Sequence, residues 1–164
     1  MTETSTGCAA QAGKYLTFML GKEHYGIPVL KVREIIRVCD ITQVPRMPEY
    51  IKGVINLRGK IIPVMDLCAR LNLTQSDNTE RLCIVVVQIA LADGSETQMG
   101  FIVSGVDEVI NVVANEIEET PKFGAQIEVE YILGIAKVRG TVQMLLDIDR
   151  VLSAGEASEL ISSN

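Results

Sequence analysis

Ile51-Lys52-Gly53-Val54-Ile55-Asn56-Leu57-Arg58-Gly59-Lys60-Ile61-Ile62-Pro63-Val64-Met65-Asp66-Leu67 decides the fold. It reads as strand, tight turn, strand. The first run is apolar with polar breaks at Lys52 and Asn56, and the run after Gly59 is almost continuously apolar. Runs this apolar are buried on most sides. Gly59 stands where the chain must reverse, a place that favours a residue tolerant of positive φ. The turn therefore holds Asn56, Arg58 and Lys60 at the rim of a core, and a rigid arginine beside apolar neighbours makes a good recognition edge.

The same pattern returns at Ile132–Leu152, ILGIAKVRGTVQMLLDIDRVL. It matches Ile51/Ile132, Gly53/Gly134, Arg58/Arg139, Gly59/Gly140, Asp66/Asp147 and Leu71/Leu152, always 81 positions apart. An earlier echo relates Gly26–Ile35 to Gly100–Val109, 74 positions apart. Two echoes in the same order argue for an internal duplication.

The remaining chain supplies strands at regular spacing. Lys14–Leu20 and His24–Val29 form a hairpin that Pro28 interrupts near its end. Leu30–Val38 is ambiguous between helix and strand. Its β-branched residues favour a short turn followed by a strand. Leu82–Leu91, Thr97–Val103 and Val106–Val113 read as strands, and Asp66–Leu71 as a short helical turn. Asp149–Ile161 reads as helical with a break at Gly155. Thr74–Arg81 is a polar connector, and Asn115–Glu130 is acidic and irregular. With about five strands in each half, the expected fold is mainly β, two small barrels with short helices. Met1–Gly13 is expected to be a mobile tail, residues 14–153 a domain of two related barrel subdomains, and 154–164 a C-terminal helical segment or tail.

Composition excludes several function classes. Of 164 residues, 48% are hydrophobic and only 4% aromatic, so the core is built from Val, Ile and Leu. A net charge of −6 argues against nucleic acid. No apolar run of about 18 residues predicts a membrane span, and no basic, then apolar, leader follows Met1. A cytoplasmic location is the expectation. Cys8, Cys39, Cys68 and Cys83 form no CxxC pair and His24 is the one histidine, so neither a metal site nor a cofactor site is expected. Gly53–Lys60 is no phosphate loop: five residues separate its glycines, and Ile61 stands where a hydroxyl belongs. Asp66 and Asp147 each follow an apolar strand and precede a helical turn, where aspartate caps more naturally than it catalyses. His24 reads as a surface histidine. Arg139 reads as decorating its turn, whereas Arg58 has Glu34 as a plausible partner.

Tyr25-Gly26-Ile27, Val29–Val32 with Glu34-Ile35, Pro48, Ile51–Val54, Asn56–Gly59, Pro63 and Asp66-Leu67 together resemble the CheW family, coupling proteins of bacterial chemotaxis. The resemblance spans about residues 14–153 and is weaker in the second half, where Gly100, Val103, Val106, Val109, Tyr131 and Gly134 carry it. It implies two SH3-like five-stranded barrels around a shared hydrophobic core and no catalysis. It implies a scaffold joining the cytoplasmic tip of methyl-accepting chemoreceptors to the regulatory domain of the histidine kinase CheA, recruited to membrane-associated receptor arrays. By position, Val32, Glu34 and Arg58 correspond to the receptor-coupling surface, with Ile35, Asn56, Leu57, Gly59 and Val106 shaping the same groove. The resemblance assigns no kinase-facing residues. A helical receptor tip would lay its apolar stripe into such a groove while Arg58 and Glu34 fix register. The other readings are a coupling protein of a related chemosensory pathway, with twitching or another output, and a small-molecule-binding barrel.

Overall fold

The Leu57–Lys60 reversal is a two-residue turn with Arg58 at φ 52° and Gly59 at φ 86°. Positive φ at both central residues is the signature of the type I′ hairpin, whose twist matches that of its strands. Arg139 and Gly140 repeat it at φ 51° and 80°. In this computed structural model the described residues are 11–71, 73, 81–91, 93–118 and 131–153. The expectations for the tail before residue 11, the 74–80 connector, the 119–130 stretch and the segment 154–164 lie outside them.

The elements are β1 (Gly13–Leu20), β2 (Glu23–Pro28), a 3₁₀ turn (Val29–Lys31), β3 (Val32–Arg37), β4 (Ile51–Leu57), β5 (Lys60–Asp66) and α1 (Leu67–Arg70). After them come β6 (Cys83–Ala90), β7 (Glu96–Val103), β8 (Gly105–Val112), a 3₁₀ turn (Ala114–Glu116), β9 (Ile117–Glu118), β10 (Ile132–Val138), β11 (Thr141–Leu146) and α2 (Ile148–Ser153). Leu30–Val38 is thus turn then strand, as its β-branched residues predict. Two sheets form, ordered β8-β1-β2-β11-β10-β9 (barrel 1) and β3-β6-β7-β5-β4 (barrel 2). The first has a sixth strand, the two-residue β9.

The expectation of one barrel per half needs correction. Matching β1 to β6, β2 to β7, β3 to β8, β4 to β10 and β5 to β11 turns the order β3-β6-β7-β5-β4 into β8-β1-β2-β11-β10. The halves are therefore interleaved: the hairpin β1-β2 completes the barrel of the second half, and β6-β7 completes that of the first. Register confirms the correspondence. The parallel pairing Val64↔Gly100 has its mate in Leu145↔Gly26, and the irregularity at Ile51/Gly53 has its mate at Ile132/Gly134. Gly53 is required where it stands. At φ 141°, a Cβ there would lie 2.0 Å from the Thr42 carbonyl oxygen, because Thr42 and Val54 exchange backbone bonds of 2.9 and 2.8 Å.

Three apolar clusters follow from this topology. Tyr15, Ile110, Val112, Ala136, Val138 and Leu145 fill barrel 1. Ile55, Ile62, Val64, Ile84, Val86 and Ile102 fill barrel 2. The largest cluster lies between the barrels, with Phe18 of β1 against Phe101 of β7 at 5.6 Å between ring centroids. This is the shared core.

Candidate functional site

β3 carries three of the expected site residues, Val32, Glu34 and Ile35. A bulge between Val32 and Glu34 changes which faces the flanking residues take. Val32 stands opposite Val87 and Ile35 opposite Val85, both members of the shared core, so Val32 and Ile35 face the seam between barrels. Glu34 stands opposite Val86 and Ile36 opposite Ile84, on the side that lines barrel 2. Ile35 is 44% exposed.

Glu34 meets Arg58 there. Arg58 Nη1 donates to Glu34 Oε1 at 2.6 Å and Nη2 to Oε2 at 2.9 Å, a bidentate pair. The pair bridges β3 and the turn of β4, the two edge strands of barrel 2, and so covers the open seam of the sheet. The carboxylate raises the pKa of the guanidinium further, first by its hydrogen bonds and then by its charge. Asn56 Oδ1 accepts the Gly59 amide at 2.9 Å, which locks the turn. Leu57 packs onto the cluster inside barrel 2.

The eight expected residues fall into two groups. Glu34, Asn56, Leu57, Arg58 and Gly59 gather at the rim of barrel 2. Val32, Ile35 and Val106 face the seam, and Val106 comes from barrel 1, paired with Phe18. Val32 and Val106 both pack on the shared core and are internal mates, 74 positions apart.

Sequence reasoning missed the partner of Arg139. Arg139 is more than a turn decoration, since its Nη2 lies 3.6 Å from Glu108 Oε2. The signal was present, because the echo that relates Gly26 to Gly100 also relates Glu34 to Glu108. It likewise missed the partner of His24: Nδ1 is 3.3 Å from Asp107 Oδ2, and β1 lies between their strands.

The other candidates resolve into structure. Asp66 Oδ1 accepts the Ala69 amide and Asp147 Oδ1 the Arg150 amide, both at 3.3 Å, so each caps its helix. Burial pushes the thiols of Cys68 and Cys83 up, while Cys39 is exposed. Among the described residues, no three or more His, Cys, Asp or Glu side chains cluster as metal ligands, and no helix is long and apolar enough to cross a membrane.

Residues 14–156 match the family described as CheW-like domain. The chain belongs to this family. It is 33% identical over 143 residues to the chemotaxis protein CheW of Klebsiella aerogenes, covering 87% of this chain and 83% of that one. It is 34% identical to CheW of Bacillus subtilis over 140 residues, 85% and 86% of the two chains. The crystal structure of the scaffolding protein TtCheW from Thermoanaerobacter tengcongensis superposes with a TM-score of 0.76 at 32% identity, covering 88% of this chain and 95% of that one. Membership places the chain among non-catalytic scaffold proteins of chemotaxis and accounts for the two SH3-like barrels.

Proposed function

We infer that this CheW-like protein couples the cytoplasmic tips of chemoreceptors to the regulatory domain of the histidine kinase CheA within membrane-associated arrays. The observation that carries the reading is the bidentate Arg58–Glu34 pair on a rigid turn beside an apolar seam. Val32, Ile35 and Val106 offer apolar surface to one face of a helical receptor tip. Glu34 and Arg58, framed by Asn56, Leu57 and Gly59, supply directional contacts that fix its register. Individual contacts on such a surface are of micromolar class, about 8 kcal/mol. Repetition of receptors and kinases in an array adds avidity.

A pull-down of the full chain with a receptor-tip fragment and, separately, a CheA regulatory-domain fragment tests the reading. Capture of both is expected. Capture of neither overturns it, and capture of the receptor of another chemosensory pathway alone moves the chain to that pathway.

A further inference from the structure

The inferred coupling surface is divided between the barrels, Val32 in barrel 2 and Val106 in barrel 1. Its shape therefore depends on the angle at which the barrels are held. Most of the junction is aliphatic packing, which is non-directional, with one polar tie at Asp149, which accepts from the Ala90 amide of β6 and from Lys31 Nζ, both at 2.8 Å.

Arg70, the last residue of α1, is different. Its guanidinium carbon lies 5.3 Å from the ring centroid of Tyr50 and 4.9 Å from that of Tyr131. Its Nη2 donates to Tyr131 Oη at 2.5 Å. The tyrosines are internal mates, 81 positions apart, one immediately before β4 and the other immediately before β10. Each is anchored to its own barrel, since the Tyr50 carbonyl accepts the Asp66 amide at 2.7 Å and the Tyr131 carbonyl the Asp147 amide at 2.9 Å. The guanidinium thus bridges one ring from each barrel. The mate of Arg70 is the fully buried Val151, so the sandwich occurs once, on one side of an otherwise repeated arrangement.

Among the described residues no carboxylate lies within ion-pair distance of Arg70, and its Nε is buried without a hydrogen-bond partner. Arg70 is half-buried, and leaving its enclosed Nε without a hydrogen bond from the described residues is unfavourable. The two ring faces and one tyrosine hydroxyl offset that cost, and a planar cation between two rings constrains both orientations.

We propose that Arg70, stacked between Tyr50 and Tyr131, is a positioning residue that fixes the angle between the barrels and through it the spacing of Val32 and Val106. The second half of this statement rests on the receptor-coupling reading; the first does not. Residual dipolar couplings of backbone amides, fitted separately for each barrel in the full chain, report the inter-barrel orientation. In Arg70→Met and Arg70→Lys each barrel keeps its own fit, but the two alignment frames diverge from those of the native chain. Affinity for a receptor-tip fragment falls about threefold to tenfold in Arg70→Met. Arg70→Lys recovers less than half of that loss, because an ammonium keeps the charge without the plane. Unchanged frames in both variants overturn the proposal. Diverged frames with unchanged receptor affinity overturn its second half. If the native chain itself binds no receptor fragment, the coupling reading falls and the alignment frames alone decide the role of Arg70. Tyr50→Leu removes one face of the sandwich and provides the same readout if Arg70→Met does not fold.

Discussion

The turns at Arg58 and Arg139 share a backbone and differ in what is attached to it. Both have positive φ at arginine and at glycine, and both arginines face a glutamate from the mate strands β3 and β8. At the first turn the pair is bidentate with contacts of 2.6 and 2.9 Å, and the Glu34 side chain is 25% exposed. At the second the nearest approach is 3.6 Å and the Glu108 side chain is 58% exposed. Asn56 ties the first turn to its own strand, whereas its mate is Lys137, a cation with no acceptor to offer the Gly140 amide. A duplicated scaffold has kept its geometry in both copies and concentrated its ordered polar chemistry in one. Turn conformation and side-chain pairing are therefore separable here.

The largest expected effect comes from a backbone requirement of the first copy, since Gly53 has φ 141° while its mate Gly134 is not a positive-φ residue. Gly53→Ala sets a Cβ against the Thr42 carbonyl, breaks the bridge to Val54 and costs about 3 kcal/mol or more in urea unfolding. A cost below about 1 kcal/mol would show that the 42 region yields freely. Next comes a difference confined to barrel 1. Tyr25 and Met99 are internal mates, and burial, followed by the charge of Glu23 and then Cys68, pushes the Tyr25 hydroxyl up to about 12. The neutral phenol is the form the folded state favours, so its contribution is complete below the ordinary value near 10 and is lost as pH rises towards 12. Over that window the native chain should lose more stability than Tyr25→Phe, on the order of 1 kcal/mol once solvent screening of the hydroxyl is allowed for. Parallel alkaline unfolding curves for the two would refute this.

Arg58→Ala should weaken binding of a receptor-tip fragment roughly tenfold to a hundredfold. Arg139→Ala should leave it unchanged, and both variants should melt within about 2 °C of the native chain. Equal losses of binding would assign the effect to turn geometry shared by both copies. Full binding by Arg58→Ala would remove the rim from the coupling surface. The smallest effect sharpens the comparison from the other side. Lys137→Asn gives the second turn the amide acceptor of the first and should raise stability by about 0.5 kcal/mol in calorimetry. A loss of stability would mean that the second turn holds its amide differently.

The local grammar of this chain was legible because it depends on neighbours. Hairpin turns at Arg58-Gly59 and Arg139-Gly140, caps at Asp66 and Asp147, and the strand after Leu30 all follow from residues a few positions apart. The Glu34–Arg58 pair was legible because the two charges are opposite and the resemblance puts both residues on one surface. The interleaving was not, since an offset of 81 or 74 says which strands are alike, not which strands pair. The sandwich of Arg70 lay beyond sequence reading for the same reason. Tyr50 and Tyr131 are brought together by barrel packing, and nothing local marks them. Nor was the division of the eight residues between rim and seam legible, because it depends on a bulge that alternation alone does not announce.

Interleaving also sets a timetable for biosynthesis. Barrel 2 has all its strands once the ribosome has passed Val103, whereas β1 and β2 can find their last principal partner only after Leu146 has emerged. At about 5–20 residues per second that interval lasts roughly two to nine seconds. Throughout it Leu16, Phe18 and Ile27 can shelter against nascent barrel 2, while Tyr15, destined for the interior of barrel 1, still waits for its enclosing strands. An amino-terminal hairpin with an unfilled edge is a natural client for a chaperone. Truncation anywhere between these landmarks leaves that hairpin without β11.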